Sequence, residues 1–224
     1  MEKLFMEGKW DQFHVKEEFH TKYPSEHAVR FLAGQFPRNL SQRKKMKILD
    51  LGCGVGRHTS LLAKEGFETY ATDISIEAIK VTEQRLAREG LKGVCKKANM
   101  ERLPYADNYF DGIISFGVIY YNDRNGVINA VSEMYRTLKE GGKAFILTTT
   151  TDDYRYAKGS EIERNTFILD INETNEGGMV LHFLERKEIA EIFNKFKGIT
   201  IERSEVTFGN LEKKNSHWII IVRK

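Results

Sequence analysis

At 224 residues the chain is long enough for one sizeable α/β domain. Its composition, 41% hydrophobic and 30% charged, calls for a packed core, and the net charge of +3 is too mild either to require or to rule out a nucleic-acid partner. No apolar run approaches the ~18 residues of a membrane span, and Met1 to Phe19 is too charged for a signal segment, so no membrane partner is expected. The two cysteines, Cys53 and Cys95, fit a cytoplasmic location and exclude a disulfide framework or a zinc cluster; no metal is expected.

In chain order, residues 1–45 form an N-terminal segment rich in aromatics, among them Trp10, Phe13, Tyr23, Phe31 and Phe36. Within it, Ser25 can cap a helix that turns Ala28, Val29 and Leu32 inward and ends near Gly34. Residues 46–150 form the core. A first strand, Met46 to Leu51, meets three glycines and then a helix from Arg57 to Glu65. A second strand, Glu68–Thr72, leads to Ser75, the N-cap of a helix reaching Glu89 and stopped by Gly90. Val94–Ala98 and Gly112–Phe116 read as the third and fourth strands. From Arg124 to Lys139, Val127, Ile128, Val131, Met134, Tyr135 and Leu138 recur at helical spacing; a fifth strand, Lys143–Thr149, follows. This alternation predicts an α/β fold with a mostly parallel, doubly wound sheet. Residues 151–183 show no clean period and read as a cap inserted beside the open edge of the strands. Residues 184–224 supply a helix, Glu185–Phe196, and two strands, Ile199–Val206 and His217–Val222, paired as a hairpin.

Residues 48–56, Ile-Leu-Asp-Leu-Gly-Cys-Gly-Val-Gly, carry the chemistry. Glycines between a strand and a helix let the backbone turn sharply and let a ligand lie against bare main chain. Asp73, at the tip of the second strand, stands where a ribose presents its hydroxyls. Gly56 comes one position too early for the Gly-x-Gly-x-x-Gly dinucleotide fingerprint, and no phosphate loop with Lys-Ser/Thr is present.

The run Asp50-Leu51-Gly52-Cys53-Gly54-Val55-Gly56 resembles motif I of class I S-adenosylmethionine-dependent methyltransferases. Three further stretches match that family in order: Tyr70–Ser75, Ala98–Tyr105 and Phe110–Phe116, the last followed by Met134–Lys143 with Glu140 in place of the usual Pro. The resemblance is strong over 46–150 and looser in the C-terminal third. The Leu103-Pro104-Tyr105 and Phe110-Asp111 stretch and the His217-Trp218 strand resemble the ubiquinone/menaquinone-type and tellurite-resistance-type microbial group.

The resemblance implies a Rossmann-like sheet of seven strands with an antiparallel C-terminal strand, and S-adenosylmethionine as cofactor. It implies cofactor contacts from Asp50, Gly52, Gly54, Gly56, Asp73, Ile74, Asn99, Met100 and Phe116. In that set Asp73 takes the ribose hydroxyls, Ile74 and Met100 flank the adenine, and Asn99 replaces an Asp as acceptor for the adenine amine. Tyr120 and Tyr121 are expected in the acceptor pocket, with Trp10, His14 and Tyr23 as further candidates. No catalytic residue is identified: His182 and His217 are weak candidates, and Cys53 lacks a neighbouring base. The expected activity is in-line methyl transfer to a small-molecule acceptor, which relies on orientation more than on acid–base groups. The Asn/Asp-Pro-Pro-Tyr/Phe tetrad of amino-nucleobase methylation does not follow the fourth strand. An RNA or protein acceptor, suggested by Arg43–Lys47, Lys96, Lys97, Lys213 and Lys214, and a non-catalytic cofactor-binding subunit stand as alternatives.

Overall fold

The computed structural model describes residues 2–171 and 174–224. Helix α1 (Glu2–Val15) precedes α2 (Glu26–Gln35) and the single turn α3 (Leu40–Arg43). Then come β1 (Lys47–Leu51), α4 (Arg57–Lys64), β2 (Glu68–Asp73), α5 (Ile76–Arg88), β3 (Val94–Lys97), β4 (Phe110–Phe116), α6 (Arg124–Thr137) and β5 (Leu138–Thr149). Three short strands, β6 (Gly159–Glu163), β7 (Thr166–Leu169) and β8 (Val180–His182), lead to α7 (Arg186–Ile192), β9 (Gly198–Phe208) and β10 (Lys213–Arg223).

Seven strands form one sheet in the order β3-β2-β1-β4-β5-β10-β9. The pairs from β3 to β5 are parallel, and β10 runs antiparallel between β5 and β9. The core faces follow from the period-2 pleat. Ile48, Ile114, Phe145, Leu147 and Ile219 point to one face, against Ala28, Phe31, Leu32 and Leu62 of α2 and α4. Their neighbours Leu49, Ile113, Ala144, Ile146 and Ile220 point to the other, against Val127, Val131 and Met134 of α6 and Ile189 and Phe193 beside it. Both faces are covered, so the central strands read as continuous apolar runs rather than alternating ones. β1 lies between β2, which follows it in the chain, and β4, so the strand order reverses at β1. That reversal opens a crevice beyond the strand ends, the usual ligand position in such sheets.

Helix starts follow local side-chain chemistry. Ser25 Oγ accepts from the His27 amide at 3.3 Å, Ser75 Oγ from the Ala78 amide at 3.1 Å, and Asp123 Oδ1 from the Gly126 amide at 2.7 Å.

Besides end shifts such as α7 stopping at Ile192 and β10 starting at Lys213, three differences from expectation stand out. α6 ends at Thr137, because Leu138 is already extended and pairs with Phe110, so β5 begins five residues before Lys143. Residues 151–183 are a second, three-stranded antiparallel sheet, β6-β7-β8, whose strands of three to five residues are too short to show a period. Residues 172 and 173 of that stretch lie outside the described residues. The N-terminal segment contains the unassigned helix α1. Its cavity-facing residues Met6, Trp10, Phe13 and His14 do recur at helical spacing, but the other positions mix charge with Gly8. Among the described residues, no helix is long and apolar enough to cross a membrane.

Candidate active site

The loop after β1 is held by its own backbone. The amides of Gly52 and Cys53 both donate to the Thr72 carbonyl, at 2.7 and 3.0 Å, curling the loop over the end of β2. Gly52 has φ of +71°, and a Cβ there would lie 2.4 Å from Val118 Cγ2, so the position admits no side chain on either ground. Asp73 then fastens loop to strand tip. Its Oδ2 accepts from the Gly54 amide and its Oδ1 from the Ser75 amide, both at 2.9 Å. A carboxylate has about four acceptor positions, so each oxygen keeps one for a ligand. Burial pushes the Asp73 carboxyl above its ordinary value; the nearby His14 imidazole and the amide donors oppose that shift.

A cavity of about 330 Å³ opens over this loop. Its lining includes Asp73, Ile74, Asn99 and Met100 together with Tyr121, Asn122 and Val180. Met6, Trp10, Phe13 and His14 of α1 roof it, and Trp10 meets Tyr121 edge-to-face with ring centroids 4.8 Å apart. Helix α1 is tied down across the crevice: Asp11 accepts the Ser75 hydroxyl at 2.6 Å, Glu7 pairs with Lys97, and the Lys9 ammonium donates to the Gly177 carbonyl.

Of the residues singled out in the sequence, Gly52, Gly54, Asp73, Ile74, Asn99, Met100, Phe116, Trp10, His14 and Tyr121 line this cavity. Asn99 Oδ1 already accepts the Glu101 amide at 2.9 Å, leaving one lone pair for a ligand. Four residues fall elsewhere. Asp50 is 1% exposed beneath the loop and accepts the Thr59 hydroxyl at 2.6 Å, so it braces α4 rather than facing the cavity. Gly56 caps α4 in the left-handed conformation, outside the lining. Tyr23 is 72% exposed and presents only its carbonyl, to Arg57. Tyr120 is buried in the apolar core of the β6-β7-β8 sheet, one residue behind the cavity wall. Among the weak candidates, His182 is buried between Thr166 and Glu188, and Cys53 sits beside Thr82 with burial pushing its thiol well above the ordinary value. Neither His182 nor His217 belongs to the lining.

Sequence reasoning missed Met6, His58, Val118, Asn122 and Val180, which also line the cavity. Nothing local marks them, because they reach it from α1, α4, the turn after β4 and the small sheet. Tyr121 is held from behind: its hydroxyl donates to Glu176, which also accepts from the buried Arg155.

Residues 48–142 match the family model for a methyltransferase domain. Over those residues the chain carries a methyltransferase domain of the class I S-adenosylmethionine-dependent type. The cofactor of such a domain is S-adenosylmethionine. The methyltransferase domain is similar to the ubiquinone/menaquinone biosynthesis C-methyltransferase of Pectobacterium carotovorum, at 36% identity over 111 residues, 47% of this chain and 43% of that protein. It is likewise 39% identical over 112 residues to the Shewanella sediminis protein of the same name. The chain spans less than half the length of these curated relatives. Among solved structures, a Methanosarcina mazei S-adenosylmethionine-dependent methyltransferase superposes with a TM-score of 0.70 at 22% identity, covering 87% of this chain and 96% of that one. TehB from Haemophilus influenzae superposes with a TM-score of 0.64 at 18% identity, covering 96% and 67%. At those identities the two structures support the fold.

Proposed function

We propose that the protein transfers the methyl group of S-adenosylmethionine to a small-molecule acceptor by in-line displacement. The observation that carries the acceptor class is the roof. Met6, Trp10, Phe13 and His14 of α1 line the cavity together with Tyr121 and Val180. Apolar and aromatic side chains of α1 and the small sheet thus border the same cavity as the cofactor residues, which suits a compact organic acceptor.

The residues present fit the cofactor. Asp73 keeps free acceptor positions beside bare glycine main chain, Ile74 and Met100 offer apolar surface next to it, and the buried His14 Nδ1 has no protein partner. In this reading Asp73 holds the ribose, Ile74 and Met100 flank the adenine, and Asn99 accepts from its amine. S-adenosylmethionine supplies an activated methyl group, so the protein's part is orientation and the exclusion of water. Holding donor and acceptor in attack geometry supplies about 7–11 kcal/mol. Trp10 and Tyr121 form the rigid aromatic wall against which an acceptor is oriented. Tyr121 stays a protonated phenol, since burial pushes it well above its ordinary value and its proton is committed to Glu176.

The test is formation of S-adenosylhomocysteine with a panel of phenols, thiols, amines and carboxylates, run beside total RNA and denatured protein. Turnover with a small acceptor, lowered at least tenfold in Trp10→Ala, is the expected result. Turnover restricted to RNA or protein would overturn the acceptor class.

A further inference from the structure

Helix α1 brings one polar side chain into the part of the cavity that the glycine loop and Asp73 define. His14 is 7% exposed, and its Nδ1 is buried with no hydrogen-bond partner. A buried polar atom without a partner is costly, and native structures tolerate it mainly where a ligand or water completes the site. The ring is not loosely placed. Its Cε1, the carbon between the two nitrogens, lies 3.4 Å from where a Cβ on Gly54 would stand, so the imidazole faces the glycine loop at close range. Trp10 backs it from the preceding turn, the two rings nearly parallel at 21° with centroids 5.8 Å apart. The Asp11–Ser75 hydrogen bond pins the same turn to the residue whose amide serves Asp73.

The chemistry at this point is incomplete without His14. A ribose diol has two hydroxyl protons to give and two oxygens to receive. Asp73, ionised, only accepts. Its carboxylate binds the Gly54 amide, and the Gly54 α-carbon faces the imidazole, so the two side chains flank one small volume. Burial pushes the His14 ring below its ordinary value, toward the neutral form, and a neutral imidazole offers one N–H donor and one acceptor.

We propose that His14 is a cofactor-binding residue that hydrogen-bonds the ribose hydroxyls through an imidazole nitrogen, opposite Asp73, so that α1 forms part of the nucleoside site as well as its roof. The proposal rests on the reading of Asp73 as the ribose ligand. It also gives two cavity-facing residues of α1 separate roles: Trp10 serves the acceptor, His14 the nucleoside.

The test is calorimetric titration of S-adenosylhomocysteine and its 2′,3′-dideoxyribose analogue into wild type, His14→Ala and His14→Phe. Phenylalanine keeps the ring against Gly54 and Trp10 and removes both nitrogens. Wild type is expected to favour the hydroxylated ligand strongly. Both variants are expected to bind S-adenosylhomocysteine about tenfold more weakly, in the range of one lost hydrogen bond with its partner left buried. Neither variant should lose affinity for the dideoxy analogue. Wild-type affinity retained in His14→Phe, or equal losses for both ligands, would overturn the proposal and leave the ring a packing element. Wild type blind to the ribose hydroxyls would overturn the Asp73 reading together with it, and absence of binding in folded wild type would overturn the cofactor site itself.

Discussion

His58 shows how one buried side chain sets a pH dependence. It is 4% exposed at the start of α4, its Nε2 accepts the Ser25 amide at 3.1 Å, and burial pushes it down to about 3. An unfolded histidine titrates near 6.5. Between those values the unfolded chain binds more protons than the native one, so the contribution is complete above about pH 6.5 and is lost as the pH falls. Asp50 acts in the opposite sense. Burial pushes its carboxyl up to about 6, so the native state binds the extra proton between about pH 4 and 6, and this group destabilises as the pH rises through that window. The two oppose each other in wild type, so the decisive comparison is between variants. His58→Gln keeps an acceptor for Ser25 and cannot be protonated. Between pH 7 and pH 5 wild type is expected to lose about 2 kcal/mol relative to it. Urea titrations at the two pH values measure this, and parallel stability changes in the two proteins would refute it.

The elements divide into a rigid site floor and a less firmly held cover. The floor is β1, β2 and their glycine loop, backed by both faces of the core. The cover has two parts. The β6-β7-β8 sheet has its own apolar cluster, including Phe167, Leu181 and the fully buried Phe183, and joins the main sheet through the His182 amide on the Tyr120 carbonyl at 2.8 Å and the Leu184 amide on Thr149 at 3.1 Å. Helix α1 packs Met6 and Trp10 on that cluster and is tied at its rim by polar contacts such as Glu7 with Lys97, a half-exposed pair of the kind that contributes little. Phe183→Ala removes a ring from the cover's core and should cost about 3–5 kcal/mol in denaturant unfolding. Because Phe183 belongs to the small sheet's core and not to the cavity lining, affinity for S-adenosylhomocysteine should change less than threefold while turnover of an acceptor falls at least tenfold. Equal losses in affinity and turnover would show that floor and cover are one unit.

At the scale of the whole molecule, a cavity built on the strand ends couples ligand binding to folding. S-adenosylmethionine at about 100 times its dissociation constant should add roughly 2.7 kcal/mol of stability. For a chain of this size that is a rise in melting temperature of about 5–11 °C. S-adenosylhomocysteine should act alike and NAD should have no effect. Asp73→Ala removes the proposed ribose acceptor and the anchor of the Gly54 and Ser75 amides, so it should abolish the shift while leaving a cooperative transition. A full shift retained in Asp73→Ala would remove that residue from the site.

What the amino-acid sequence determined by itself is the half of the site made from contiguous chain. Three glycines after an apolar strand force a tight turn with positive φ, and an aspartate at the next strand's tip meets that turn because parallel neighbours in a doubly wound sheet end side by side. Both constraints are local, as are the caps at Ser25 and Ser75, so the doubly wound sheet and the meeting of Asp73 with the glycine loop were legible. The limits of local reading are equally plain. Asp50 and Gly56 belong to the same motif, yet the pleat and the helix start turn them away from the cavity. Tyr120 and Tyr121 are adjacent, and only packing against Phe167 and Phe183 decides which one faces the ligand. Helix α1 and the small sheet close the cavity through contacts between segments far apart in the chain, such as Trp10 with Tyr121 and His14 with Gly54. Tertiary structure alone decided those contacts, because α1 is marked locally only by a short face of mixed aromatic, Met and His residues, and what that face covers depends on long-range packing.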